Sequence, residues 1–407
     1  MNKSSTFCVM PHIGLAIQNN GDICVCNISK QSLRVERDGN TIDNHSIDKF
    51  WKAEDRSNLA RDLDNGIRNP TCSDCWERED TGNLSPRQLF NEAFGDLEPD
   101  PNQPLVLVVK PGNACNSACR YCNPATSTSW YHDAYALFTD KKVSFKDYIK
   151  NFETIKDSFN IGNPNFWPVI SDWYKKLQFV DIYGGEPWMV PGLWKSLNEA
   201  VTTGYSKNIS LQLHTNGTHW KPEYMDILQQ FKSVNIGLSI DSYIPEQFNY
   251  VRHKSDFNTV IENAKRFISY VNATENMKVY VSVTIGVLNL WDVDKTVEGI
   301  ERELNIHAGF TNFVYDPDHY DIRHLPKMVK QAVIDKFKSK PYLNPIINFM
   351  NSLVPGCEFY WPKFCLETEQ LDKIRNQNFS LTFPEWYEIL KPYWDYKKRH
   401  SEWYGTV

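Results

Sequence analysis

The sequence predicts an α/β protein: a parallel sheet covered by helices, with a small cysteine-rich α+β unit before it and a helical extension after it. Three observations carry this. From Leu105 onward, short β-branched runs alternate with stretches of helix length, the spacing of βα units. Eight of the ten cysteines fall at or before residue 122. Beyond residue 320 the patterns are mainly helical.

Composition sets the outer bounds. With 41% apolar and 23% charged residues, the 407-residue chain is not disordered, collagen-like or mucin-like. A chain of this length buries a core without needing disulfides. Its 44 basic and 50 acidic side chains leave a formal charge of -6, which argues against nucleic acid as a partner. No run approaches the ~20 apolar residues of a bilayer span. The opening MNKSSTFCVMPHIG lacks the apolar stretch of a signal peptide. The expectation is a soluble cytoplasmic protein with no membrane partner.

Residues 1–100 open with a hairpin. Gly14–Gln18 and Ile23–Cys26 flank the turn signal Asn19-Asn20-Gly21-Asp22. A charged helical stretch at Ser46–Leu63 and the pair Cys72/Cys75 follow, and the proline-rich Glu98–Pro104 reads as a linker.

Residues 101–320 alternate. Strands are expected at Leu105–Val109, Leu177–Tyr183, Ile209–His214, Val234–Ile240, Lys278–Gly286 and Thr311–Val314. Helices are expected at Phe145–Phe159, Val190–Thr203, Pro222–Lys232 and Asp256–Tyr270. Residues 321–407 carry helix patterns at Lys327–Lys338, Cys365–Gln377 and Phe383–Leu390. The polar, aromatic tail Asp395–Val407, with its basic run Lys397–His400, reads as a solvated, frayed end.

The sharpest signal is Gly112-Asn-Ala-Cys115-Asn-Ser-Ala-Cys119-Arg-Tyr-Cys122 in a loop directly after a strand. Such tight clusters cannot readily pair as disulfides, and thiolates suit iron-sulfur or zinc centres. A structural zinc wants a fourth protein ligand, for which His132 is the one nearby alternative. A four-iron cluster on three cysteines leaves one iron open.

Cys-x3-Cys-x-aromatic-Cys resembles the signature of the radical S-adenosylmethionine (SAM) enzymes. Further motifs follow in that family's order: Tyr183-Gly-Gly-Glu-Pro187, His214-Thr-Asn-Gly-Thr218, and Leu238-Ser-Ile-Asp241 with Tyr250-Val-Arg252. The resemblance covers about residues 105–285. It implies a partial (β/α)6 TIM-like barrel. It also implies a [4Fe-4S] cluster on Cys115, Cys119 and Cys122, with SAM on the open iron. Gly184, Gly185, Glu186 and Pro187 would then serve the methionine amino group, Tyr121 the purine, Ser239 the ribose and Arg252 the methionine carboxylate. Thr215, Asn216 and Asp241 complete the implied cofactor site, with turn capping the plain alternative for Asp241. Arg252 stands about one residue from the expected spacing, so His253 is a second candidate.

The amino-terminal set, Cys8…Cys24-Val-Cys26…Cys72-Ser-Asp-Cys75, is chemically an iron-sulfur site or a structural zinc. With Glu79 and Ser85-Pro-Arg87 it resembles the auxiliary-cluster modules called twitch or SPASM domains, here placed before the barrel. The expected ligands are Cys8, Cys26, Cys72 and Cys75. Cys24 is an alternative to Cys26, since strand alternation puts both on one side. Cys357 and Cys365 are too few for a further cluster and read as packing residues.

The resemblance implies an oxidoreductase-type enzyme. It would cleave SAM reductively to a 5′-deoxyadenosyl radical and abstract hydrogen from a peptide or polar small molecule. A reductant such as flavodoxin or ferredoxin would supply the electron. Alkyl transfer from SAM, or a non-catalytic cluster- or zinc-binding scaffold, are the alternatives. The aromatic segments Trp130–Tyr135 and Tyr315–Tyr320, with His319 and His324, read as packing first and as cavity lining second.

Overall fold

The structure is a computed structural model that describes residues 4–19, 21–29, 49–80, 82–139, 143–158, 166–352, 354 and 356–395. Asn20, the start of the Ser46–Leu63 stretch, Phe159, Pro355 and the tail beyond Asp395 with its basic run lie outside them.

Eight strands form one sheet in the order β2-β1-β3-β4-β5-β6-β7-β8. They are β1 Gly14–Ile17, β2 Ile23–Cys24, β3 Val106–Val109, β4 Phe179–Ile182, β5 Ser210–Thr215, β6 Ser233–Ser239, β7 Met277–Ile285 and β8 Ala308–Phe313. β1 and β2 pair antiparallel, and each of the other neighbours pairs parallel. Parallel neighbours need long crossovers. Pro191–Thr202, Pro222–Leu228, Phe257–Asn272 and Val293–Leu304 supply them between β4 and β8. The result is the mixed α/β architecture the sequence predicts, a partial barrel rather than a closed one.

β4 and β5 alternate in burial, whereas β1 and β3 are buried at every position. Val180, Ile182, Leu211, Leu213, Val234, Ile236, Leu238, Val281 and Val283 join the buried core on the helix-covered side. Each such side chain contributes about 1.5–3 kcal/mol. Between them lie Asp181, Gln212, Asn235, Gly237 and Ser282, on the opposite face of the sheet. The crossover helices answer with matching apolar stripes: Phe257–Asn272 starts on an Asp256 side-chain cap and buries Val260, Ala264, Phe267 and Val271. Val293–Leu304 buries Val293, Val297, Ile300 and Leu304 at helical spacing and ends on left-handed Asn305. That helix was legible in the periodicity but is absent from the expected set.

The amino-terminal hairpin does not stand apart. β1 runs parallel to β3 in register Gly14↔Val106 to Ile17↔Val109, and Lys110 N donates to Ile17 O at 2.9 Å. The edge of β3 is thereby paired instead of left open. At the other end, the helix Cys357–Arg375 begins earlier than expected, behind left-handed Gly356, and runs through Pro362. No helix among the described residues is long and apolar enough to cross a membrane.

Candidate active site

The loop after β3 carries Cys115, Cys119 and Cys122 and is clamped from several sides. Ala118 N donates to His253 O and Arg120 N to Val251 O, both at 2.8 Å, so the loop is pinned on either side of Arg252. Ser117 Oγ meets Ser255 Oγ at 2.7 Å. Trp130 Nε1 donates to Cys119 O at 2.7 Å. The three thiols line one open cleft of about 410 Å³ at the carboxyl ends of the strands, where parallel βα folds build their sites.

The thiols differ in ease of ionisation. A hydrogen bond from Cys122 pulls Cys119 down against its burial, and Arg252 helps. Burial pushes Cys115 up to about 12. Among the described residues no three His, Cys, Asp or Glu side chains are gathered to hold a single metal ion. Three thiols on one cleft are the donor set of a cluster, in which each sulfur takes a different iron.

Gly184, Gly185, Thr215, Asn216, Ser239, Asp241, Arg252 and Tyr121 line the same cleft. Gly184 has φ +132°, and a Cβ on Gly185 would lie 2.5 Å from Ala114 O, so this turn must press its backbone against the cysteine loop. Glu186 does not open on the cleft. It is 1% exposed and accepts from Thr215 Oγ1 at 2.8 Å, Asn216 N at 2.7 Å and Trp188 N at 3.1 Å. Pro187 is buried at the start of the following turn. Burial raises Glu186, and its hydrogen bonds work the other way.

Arg252 NH1 donates to Asp241 Oδ2 at 2.7 Å, and Asp241 Oδ1 accepts from Thr284 N at 2.9 Å. Burial opposes the guanidinium's charge, but Cys119 and Asp241 more than offset it and hold it above its ordinary value. Arg252 Nε is buried without a hydrogen-bond partner, a donor left over for a bound group. Tyr121 Oη donates to Asn289 Oδ1 at 2.9 Å, and Asn289 Nδ2 donates to Asp241 O at 2.8 Å. His253 contributes its carbonyl to the loop clamp and does not line the cleft.

The amino-terminal cysteines divide. Cys8, Cys26, Cys72 and Cys75 line one small cavity with Met10, Val25 and Phe90. Cys24 is elsewhere, packed with Ala16, Val108 and Tyr183. β2 ends at Cys24, so strand alternation does not extend to Cys26 and the two side chains part. Burial pushes Cys8 and Cys72 up to about 12 and Cys26 well up. Beside them Arg87 grips Glu79 through Nε at 2.9 Å and NH2 at 2.7 Å, and Ser85 Oγ donates to Glu79 Oε1 at 2.5 Å. This network ties Ser85-Pro-Arg87 to the Cys72/Cys75 helix.

Other candidates fall outside both cavities. His132 stacks on Phe145 at 4.3 Å. His319 lies 3.1 Å from Glu367 Oε2, and His324 stacks near Tyr360. Tyr315 lines a separate surface cavity with Arg78. Cys365 is fully buried, and Cys357 donates to Val354 O at 3.6 Å.

The sequence reading missed two groups. Arg120, 0% exposed, pairs with Asp372 and stacks on Tyr250 at 3.7 Å, while Arg375 donates to Asp133 at 3.0 Å; the helix Cys357–Arg375 thus backs the cysteine loop. No local signal announces these pairs. The second group is the polar lining Asp181, His214, Ser282, Thr284 and Asn312, which the alternation within each strand does announce.

The fold is a parallel partial barrel with a three-thiol loop at the carboxyl ends of its strands. Residues 109–300, a little under half of the chain, match the model of the Radical SAM superfamily. Among solved structures, the chain is similar to native anSMEcpe with bound AdoMet. There the identity is 19%, covering 59% of this chain and 62% of that one, at TM-score 0.38. It is also similar to Streptococcus suis SuiB bound to S-adenosylmethionine, at 14% identity, 82% and 69% coverage, and TM-score 0.39. SuiB bound to its precursor peptide SuiA matches at 14% identity, 99% and 92% coverage, and TM-score 0.33. The chain spans less than two thirds of anSMEcpe. None of the curated proteins compared matches the chain.

Proposed function

We infer that this protein cleaves SAM reductively and uses the resulting radical to abstract hydrogen from a peptide or polar small molecule. The observation that carries the reading is the shared cleft: three thiols, the Gly184-Gly185 turn, Ser239 and the spare Arg252 donor all face it. A [4Fe-4S] cluster with SAM on its open iron supplies the one-electron chemistry when bound.

The chain's own residues do the rest. The clamp through Val251, His253 and Ser255 holds the cysteine loop against the Arg252 segment. Arg252 Nε is a donor for the methionine carboxylate, oriented by its ion pair with Asp241. The Gly184-Gly185 turn brings backbone carbonyls to the ammonium end. Glu186 acts as a positioning residue, holding the Thr215-Asn216 turn in place. Tyr121, fixed by Asn289, offers a ring for the purine.

We further assign a second, auxiliary [4Fe-4S] cluster to Cys8, Cys26, Cys72 and Cys75, in a twitch-like module over residues 1–100. Its support is the single cavity those four thiols share. A flavodoxin or ferredoxin in the cytoplasm would deliver the electron.

Anaerobic reconstitution tests both assignments. Iron counting by Mössbauer spectroscopy should give about eight irons per chain, and dithionite with SAM should yield 5′-deoxyadenosine. About four irons with cleavage would remove the auxiliary cluster. Folded protein with neither iron nor cleavage would overturn the reading.

A further inference from the structure

A closed parallel barrel fills its interior with bulky branched side chains. Here the interior rows of β4 to β7 hold Asp181, Gln212, His214, Gly237 and Tyr280, paired across strands as Asp181↔Gln212, His214↔Gly237 and Gly237↔Tyr280. The floor is fitted rather than loose. A Cβ on Gly237 would stand 2.8 Å from His214 Nδ1 and 3.0 Å from Tyr280 Oη. Gln212 Nε2 donates to Tyr280 Oη at 2.8 Å, and His214 meets the Tyr183 ring edge-on at 5.9 Å.

Within this floor one acceptor is left over. Asp181 Oδ1 is buried with no hydrogen-bond partner, and His214 Nε2, at 3.9 Å, is too far to donate to it. Lys110 is near but has its ammonium over the Tyr183 ring, 5.0 Å from the centroid. Asp181 on β4, Tyr183 just beyond its end and His214 on β5 all line the cleft.

We propose that Asp181, Tyr183 and His214 form a substrate subsite at the cleft floor that takes a protonated primary amine, with Asp181 Oδ1 as its acceptor. Burial raises the Asp181 carboxyl to about 7, and an ammonium held against it beside the aromatic rings would keep it ionised, whereas a carboxylate would be repelled. A hydroxyl would satisfy the hydrogen bond but would add no counter-charge to that of Lys110. Burial holds His214 down at about 4, so its ring is neutral and does not compete for the carboxylate. That the amine belongs to the hydrogen donor rests on the function proposed above; the subsite itself does not.

The test uses three probes of one shape, propylammonium, n-propanol and propionate, read by saturation-transfer NMR on the full chain. Propylammonium should bind the wild type, and its Kd should rise roughly tenfold in Asp181→Asn. Gly237→Ala, which keeps the carboxylate but crowds the floor, should weaken it as well. Propanol and propionate should bind the wild type no better than propylammonium binds Asp181→Asn. Failure of propylammonium to bind, equal binding in Asp181→Asn, or propionate binding as tightly would each overturn the subsite. If neither variant folds, the order of the three probes on wild type decides alone. SAM cleavage in the same preparation separates the two readings: cleavage without amine binding sinks only the subsite, and amine binding without cleavage sinks only the radical reading.

Discussion

Glu186 accepts a hydrogen bond from the backbone amide of Asn216 at 2.7 Å, and the Asn216 side chain in turn donates to Asn116 at 2.9 Å and Ser117 at 3.0 Å in the cysteine loop. Three sequence motifs are thus one hydrogen-bonded unit, with a carboxylate that never reaches the cleft at its hub.

Glu186→Ala therefore leaves the donors of Thr215, Asn216 and Trp188 without their acceptor in a dry setting. The expected loss of stability is about 3 kcal/mol, read by thermal unfolding of metal-free protein. SAM affinity should drop roughly tenfold, while reconstituted iron stays near wild type. Unchanged SAM binding would show that the turn holds its shape without Glu186.

Arg252 and Asp241 form a buried pair, so removing one partner strands the other. Arg252→Ala should cost about 3–5 kcal/mol. The double variant with Asp241→Ala should recover part of that in a double-mutant cycle. SAM binding should stay weak in both. Recovery of SAM binding in the double variant would argue that Arg252 serves only Asp241.

Burial raises Asp181 from an ordinary 3.8 to about 7, with Lys110 pulling the other way. The groups facing it are Lys110, His214, Tyr183 and Tyr280. Because the folded value lies above the unfolded one, this carboxyl's contribution to stability is fully present below the unfolded value. It is lost as pH rises through the folded value. Asp181→Asn has no such loss. Its melting temperature should gain on wild type by about 1–3 °C between acid and mildly alkaline pH. A pH-independent difference would place the carboxylate in contact with water.

Cys26→Ala and Cys24→Ala separate the amino-terminal alternatives. Loss of about four irons is expected from Cys26→Ala and none from Cys24→Ala, measured by iron analysis after anaerobic reconstitution. The opposite result would move the site to the Tyr183 side of β2.

The strands, the crossover helices and the cysteine loop are legible in the sequence because they depend on neighbours along the chain. Alternation sets a strand's two faces, and three thiols within eight residues must share a loop. Asp181, Gln212 and His214 were legible by the same rule, as polar residues between Val180, Ile182, Leu211 and Leu213.

Tertiary structure alone decided the rest. It turned Glu186 inward, parted Cys26 from Cys24 where β2 stops, and brought Asp372 and Arg375 of a distant helix against Arg120 and Asp133 behind the cysteine loop. The reason is physical. A buried charge is tolerated only where another element supplies its counter-charge, and which element arrives there depends on how the whole sheet is wrapped, not on residues nearby in sequence.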